Sequence, residues 1–212
     1  DNVLNYTPAQ IYKDDGFHTI STNPCSEITL SAYDSCRLLL LNTTSFVTNA
    51  FAKNAEFDYD LFREVAGKAQ RLMDDLIDLE IECVDKIINK IKSDPEGSEV
   101  KRNELLLWNK IKEVAQAGRR TGLGVTGIGD TLAMLGAKYG SSKSIKLTEN
   151  IYRTLAIGSY ESSCHMATER GAFPVYDFDK EEGHPFMERL FEAAPELRDL
   201  HRDHGRRNIA LT

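Results

Sequence analysis

Thr22-Asn23-Pro24-Cys25-Ser26-Glu27-Ile28 sets an amide, a thiol and a carboxylate at alternate positions. Pro24 lacks an N–H and pushes Asn23 out of the helical region, so the segment is expected to run extended as a short strand or loop tip. Alternate side chains of an extended chain point the same way, which would bring Asn23, Cys25 and Glu27 within reach of one small ligand. The set combines a sulfur that can react, a carboxylate that can move a proton and an amide that can orient hydroxyls. Cys is among the most buried residue types, so an ordinary polar turn with a packed Cys is the competing reading.

The 212 residues suffice for one large domain or a substantial piece of one. The hydrophobic share of 41% and charged share of 28% are those of a soluble globular chain. A net charge of −7 argues against nucleic-acid binding. No apolar run reaches the roughly 18 residues of a membrane span, and the first residues do not resemble a signal peptide. Four cysteines are too few for a disulfide scaffold, which implies a reducing, cytoplasmic setting where any disulfide is catalytic or redox-sensing.

The elements that must position this segment follow from periodicity. Thr7 and Pro8 suit a short helix start. Arg37 to Leu41 reads as a strand buried on both faces, and Thr43 to Val47 as a second extended stretch. From Asp58 one long helix is predicted, with Leu61, Val65, Ala69, Leu72, Leu76, Leu79, Cys83 and Ile87 as its apolar stripe, ending near Asp94-Pro95-Glu96-Gly97. Cys83, on that stripe, reads as a core thiol. A second helix is expected from Ser98, as cap, to about Gly118, with Leu105, Trp108, Ile111, Val114 and Ala115 on one face. The string Gly122-Leu123-Gly124-Val125-Thr126-Gly127 matches the spacing of a dinucleotide fingerprint. What precedes it is helix plus Arg119 and Arg120 rather than a strand, so Leu123 to Thr126 is read as a strand with closely packed glycines.

A helix from Asp130 to near Gly136 and a long one from Ser144 to Arg170 come next, with Cys164 packed or half-exposed. Asp177 to Gly183 reads as an acidic loop, followed by short helices near Pro185–Phe191 and Pro195–His204. His201 and His204 read as a solvated helix end, and Asn208 to Thr212 as a strand. Short strands between long helices indicate α/β architecture with parallel strands.

Several stretches, in order, resemble the catalytic large subunit of ribonucleotide reductase. They are Ile20 to Glu27 (ISTNPCSE), Tyr33-Asp34-Ser35-Cys36 with the Leu run, Arg119 to Gly136 (RRTGLGVTGIGDTLAMLG), Ala167 to Pro174 (ATERGAFP) and Gly205 to Leu211 (GRRNIAL). The wording around Cys25 and Cys36 looks most like the adenosylcobalamin-dependent, class II enzymes. The resemblance implies a partial ten-stranded α/β barrel, helix-rich, with a finger loop, and residues 1–212 as the central part of the catalytic barrel domain.

It further implies roles. Cys25 would become a thiyl radical that abstracts the 3′ hydrogen of a ribonucleotide. Glu27 would be general base on the 3′ hydroxyl, and Asn23 would orient the substrate, with Pro24 and Ser26 completing the substrate-binding segment. Cys36 would be one of two redox thiols, its partner lying outside this chain. The implied cofactor is adenosylcobalamin, held largely by parts outside or bordering this chain, with no metal ligand here. The implied partners are a ribonucleoside di- or triphosphate, remaining reductase segments or split subunits, and a thioredoxin-like reductant. A thiol hydrolase pairing Cys25 with His165 or His204, and a non-catalytic structural piece, are the rival readings. The hydrolase requires a Cys–His hydrogen bond.

Overall fold

The computed structural model describes residues 8–26, 28–35 and 37–209. Thr7, Glu27, Cys36 and the last three residues, on which several expectations fall, lie outside them. The chain opens with a 310 helix, Pro8–Asp15. A hairpin follows, in which β1 (Ser21–Thr22) pairs antiparallel with β2 (Thr29–Leu30). Strand β3 (Arg37–Asn42) lies parallel to β6 (Thr121–Thr126), in the register Arg37↔Thr121 through Asn42↔Thr126. Between them run β4 (Val47–Thr48) and β5 (Glu56–Phe57), an antiparallel pair, then helices α1 (Tyr59–Ser93) and α2 (Ser98–Gly118). After β6 come α3 (Ile128–Met134), α4 (Ser142–Arg170), α5 (Phe178–Glu181), α6 (Pro185–Ala193) and α7 (Glu196–His204).

The parallel β3–β6 pair joined through helices bears out the α/β reading, while the described strands form three two-stranded sheets and no closed barrel. The β3 strand is not buried on both faces. Leu39 and Leu41 enter the core, whereas Leu38 and Leu40 are 56% and 59% exposed, each opposite a glycine of β6. A Cβ on Gly124 would stand 3.0 Å from Leu40 Cδ2, which supports the close-packing role read for that glycine. The stretch expected to be extended after Asn42 is instead a 310 turn, Thr43–Phe46, because the Asn42 side chain accepts the Thr44 N–H and Thr43 hydrogen-bonds Thr126 and Thr131.

Helix α1 begins at the predicted place, with Asp58 accepting the Leu61 N–H, but the buried face is one residue round from the expected stripe. Phe62, Ala66, Ala69, Met73, Ile77, Val84, Ile88 and Ile91 are buried, with Gln70 and Asp74 among them. Leu61, Leu72, Leu76, Leu79 and Cys83 are exposed, so Cys83 is not a core thiol. Helix α2 keeps its predicted span, though Gly97 rather than Ser98 is its cap. The main core gathers Leu41, Phe46, Phe57, Phe62, Leu123 and Ile151 between the β3–β6 pair and the helices, with the phenylalanines in edge contact.

Helices α1 and α4 approach closely. A Cβ on Gly158 would fall 2.7 Å from the Arg63 carbonyl oxygen, while one on Gly67 would meet Gly158 at an ordinary 3.5 Å. The Ser162 hydroxyl donates to the Gly67 carbonyl at 2.8 Å across the same contact.

Behind α4, the expected acidic loop is a turn of helix whose Glu181 is fully buried. Glu181 accepts from Arg206 at 2.7 Å and from the Tyr12 hydroxyl at 2.7 Å, and faces His201 Nδ1 at 3.4 Å. His201 is therefore an interior residue, not a solvated end. The Arg206 guanidinium also lies over the Phe173 and Tyr160 rings. Cys164 is buried beside this group, and desolvation pushes its thiol well above the usual range. Burial alone would raise the Glu181 pKa, but Arg206 and His201 outweigh it and hold the carboxyl at about 2, against an ordinary 4.5.

Two outcomes follow. Gly158→Ala should cost about 1–3 kcal/mol in chemical denaturation, whereas Gly67→Ala should be neutral or stabilise by up to about 1 kcal/mol. Because the folded-state pKa of Glu181 is depressed, its contribution is present above pH 4.5 and is lost as pH falls from there toward 2. An acid-unfolding series should show that slope in the parent, while Glu181→Gln should lose it and be destabilised by about 3–5 kcal/mol at neutral pH.

Candidate active site

The Cys25 segment is the tip of the β1–β2 hairpin. Two short strands hold it, extended on one side by the Ile20 N–H donating to the Leu30 carbonyl at 3.0 Å. At the other end the Asn23 N–H donates to the Ile28 carbonyl at 3.2 Å, and the Ile28 N–H donates back to Asn23 Oδ1 at 3.1 Å. The loop is thus closed twice between the same two residues. Ile28, 4% exposed, anchors this end of the loop by burial.

Within the loop the chain turns rather than running extended. The Ser26 N–H donates to the Asn23 carbonyl at 3.0 Å, closing a four-residue turn with Pro24 in its second position, where a fixed φ favours turning. Ser26 has φ +61°, a left-handed conformation uncommon in a residue with a Cβ, and its hydroxyl lies 3.3 Å from that of Thr22. The expectation of three side chains on one face of a strand therefore gives way to a turn with Cys25 exposed at its tip. Asn23 is half-buried with its oxygen engaged by the loop, which leaves the Nδ2 amide as the end able to meet a ligand. Glu27 and Cys36 lie outside the described residues.

Among the described residues Cys25 has no hydrogen bond to a histidine. His165 lies in a groove between α1 and α4, and His204 ends α7. The pairing that the hydrolase reading requires is absent there.

The hairpin rests on residues to which the sequence reading gave no role. Asp34, just after β2, accepts from Arg120 Nε at 2.7 Å, and both side chains are 2% exposed. Arg119, next to it, donates to Asp74 Oδ1 at 2.7 Å and to Asp78 at 2.8 Å. Asp74, fully buried, also accepts from Asn208 Nδ2 at 2.9 Å, Arg170 at 3.1 Å and Arg207 at 3.4 Å. Burial would raise its pKa, but Arg119, Arg207 and Asn208 bring it below the ordinary value. The signals in the sequence were a pair of adjacent arginines ahead of a strand and an acid at a buried helix position.

Asp74, Asp75 and Asp78 cluster closely enough to suggest a cation, but Arg119 and Arg170 neutralise them, so the group is an ion-pair hub. A groove of about 770 Å³ lies between α4 and α6, lined among others by Glu149, Tyr152, Arg153, Phe186 and Arg189. Cys25 does not line it. Among the described residues no helix is long and apolar enough to cross a membrane.

The exposure pattern is checked by alkylation with iodoacetamide and mass spectrometry. Cys25 and Cys83 should label rapidly in the native protein, and Cys164 at least about 100-fold more slowly until the chain unfolds.

Comparison with known proteins places residues 9–212 within the family described as "Ribonucleotide reductase, barrel domain". A vitamin B12-dependent ribonucleoside-diphosphate reductase of Mycobacterium tuberculosis is 32% identical over 156 residues, covering 74% of this chain and 18% of that protein. One of the same name from Thermoplasma acidophilum is 31% identical, over 74% and 17%. A ribonucleoside-diphosphate reductase large subunit of Variola virus is 24% identical, over 97% of this chain and 25% of that protein. The chain thus spans less than a fifth of the length of the two vitamin B12-dependent relatives.

Proposed function

The chain belongs to the ribonucleotide reductase barrel-domain family, and from that premise we infer that it supplies the radical-bearing segment of a reductase that converts ribonucleotides to 2′-deoxyribonucleotides for DNA synthesis. The observation that carries this reading is an exposed thiol at the tip of a doubly closed hairpin, beside an amide with a free Nδ2, in a chain matched to that family almost end to end. Residues 1–212 are the central part of a catalytic ten-stranded barrel, whose remaining strands lie elsewhere in the working enzyme. The exposed Leu38 and Leu40 of β3 and the leucine flank of α1 are surfaces that such neighbours would cover.

The Cys25 thiyl radical takes the hydrogen atom from C3′ of the ribose, giving an S–H bond and a carbon radical. Glu27 accepts the proton of the 3′ hydroxyl as general base, and the 2′ hydroxyl leaves as water on receiving a proton from a thiol. Cys36 and a partner thiol together supply two electrons and two protons and end as a disulfide. Glu27 returns its proton to the 3′ oxygen, and Cys25 then returns its hydrogen to C3′ and is a radical again. Asn23, through Nδ2, holds the sugar hydroxyls in register, with Pro24 and Ser26 setting the turn that presents them. A dithiol reductant of the thioredoxin type reopens the disulfide in the cytoplasm.

A side chain does not generate a thiyl radical unaided, and the names of the two relatives above favour adenosylcobalamin as the source. The groups that hold it are assigned largely to parts of the enzyme outside or bordering this chain. The same names favour a ribonucleoside diphosphate over a triphosphate as substrate.

In the full-length enzyme, Cys25→Ser should abolish deoxynucleotide formation while leaving circular dichroism and thermal melting unchanged. Glu27→Gln should lower kcat by about 10²–10⁴-fold. Retention of activity by Cys25→Ser would return Cys25 to a packing or surface role.

A further inference from the structure

A hairpin with two-residue strands is marginal on its own. Its working geometry must be imposed from its base, and the base is unusually well tied. Beyond β2, Ser31 is 5% exposed and its carbonyl accepts the Asp34 N–H at 3.2 Å. Asp34 Oδ2 accepts from the Ser31 hydroxyl at 3.0 Å and from Arg120 Nε at 2.7 Å, while Oδ1 accepts the Ser35 N–H at 2.9 Å. One carboxylate therefore joins the end of the hairpin to the residue just ahead of β6. The Arg120 carbonyl in turn accepts from Arg37 Nη1 at 3.3 Å, and Arg37, the first residue of β3, also pairs with Glu80 of α1. The hairpin base, both parallel strands and the long helix meet at this point.

We propose that Asp34 and Arg120 are a positioning pair, which fixes where the Cys25 tip stands relative to the β3–β6 pair and so sets the approach of the thiol to its substrate. The proposal rests on Cys25 being the hydrogen-abstracting residue. A buried ion pair adds little net stability over packed apolar groups, but it is directional, holding one atom against another where an apolar contact lets the base slide. Displacement of a reacting group by about 1 Å is enough to cost about 10²-fold in rate.

The test uses the full-length enzyme and four readouts: kcat, KM for the nucleotide, hydrogen exchange of residues 20–30 and the alkylation rate of Cys25, with melting temperature as control. Asp34→Asn should lower kcat about 10²-fold with KM changed less than about twofold, and should speed exchange in the hairpin. The double variant Asp34→Val with Arg120→Met removes the uncompensated charge and should regain melting temperature without regaining kcat. Ser31→Ala, which keeps both charges and folds with little cost, should move the same readouts in the same direction by a smaller factor. The proposal is overturned if kcat recovers along with melting temperature in the double variant, or if hairpin exchange and Cys25 alkylation are unchanged in Asp34→Asn and Ser31→Ala. Should Cys25→Ser prove active, the reductase reading fails on its own, while the exchange and alkylation readouts still decide whether this pair holds the hairpin.

Discussion

A single buried carboxylate, Asp74, is the constraint around which the helices and the strand are assembled. It has no solvent access, so its charge must be met from within the protein. The compensation comes from Arg119 ahead of β6, Arg170 at the end of α4, and Arg207 and Asn208 near the end of the described chain. These groups are remote in sequence, and the carboxylate is satisfied only when all the segments are in place. Asn208 extends the knot by accepting from Gln70 and Ser163, which ties α1 to α4 from a second direction. The value of such a cluster is less its net stabilisation than the one arrangement that leaves no charge unpaired.

A second buried pair repeats the design behind α4. Glu181 and Arg206 bind the short helices and the first 310 helix, through Tyr12, to the same terminal segment that meets Asp74. Arg206, Arg207 and Asn208 are consecutive, so one short stretch closes both networks. Among the described residues the thiol hairpin is a member of neither network. It contributes few backbone pairs of its own and has Cys25 exposed, yet its base is locked to the scaffold through Asp34. For the role proposed for Cys25, that division would set an exposed tip on an anchored root.

How much was legible in the sequence varied with the range of the forces involved. The spans of α1, α2, α4, α6 and α7 were readable because caps, glycine stops and periodicity act within a few residues. The face that α1 buries was not. Leu61, Leu72, Leu76 and Leu79 form as good a stripe on paper as Phe62, Ala66, Met73 and Ile77, and only the positions of the sheet and of α4 decide between them. The polar residues Gln70 and Asp74 on the buried face made the true stripe look worse than its exposed rival. Cys83 was misplaced for the same reason, and His201 because Glu181 and Arg206, its interior neighbours, reach it only through tertiary packing.

By itself the sequence determined the α/β alternation, the length of the helices and, through five ordered stretches, the family. These depend on local backbone preference and on side-chain identity, both carried residue by residue. The tertiary structure alone decided that the Asn-Pro-Cys segment is a closed turn rather than a strand, that Leu38 and Leu40 face outward from the described core, and that Asp34, Asp74 and Glu181 are interior charges matched by distant arginines. The reason is physical: a buried charge has no partner until the chain folds, so its role is written in the contact and not in the residue.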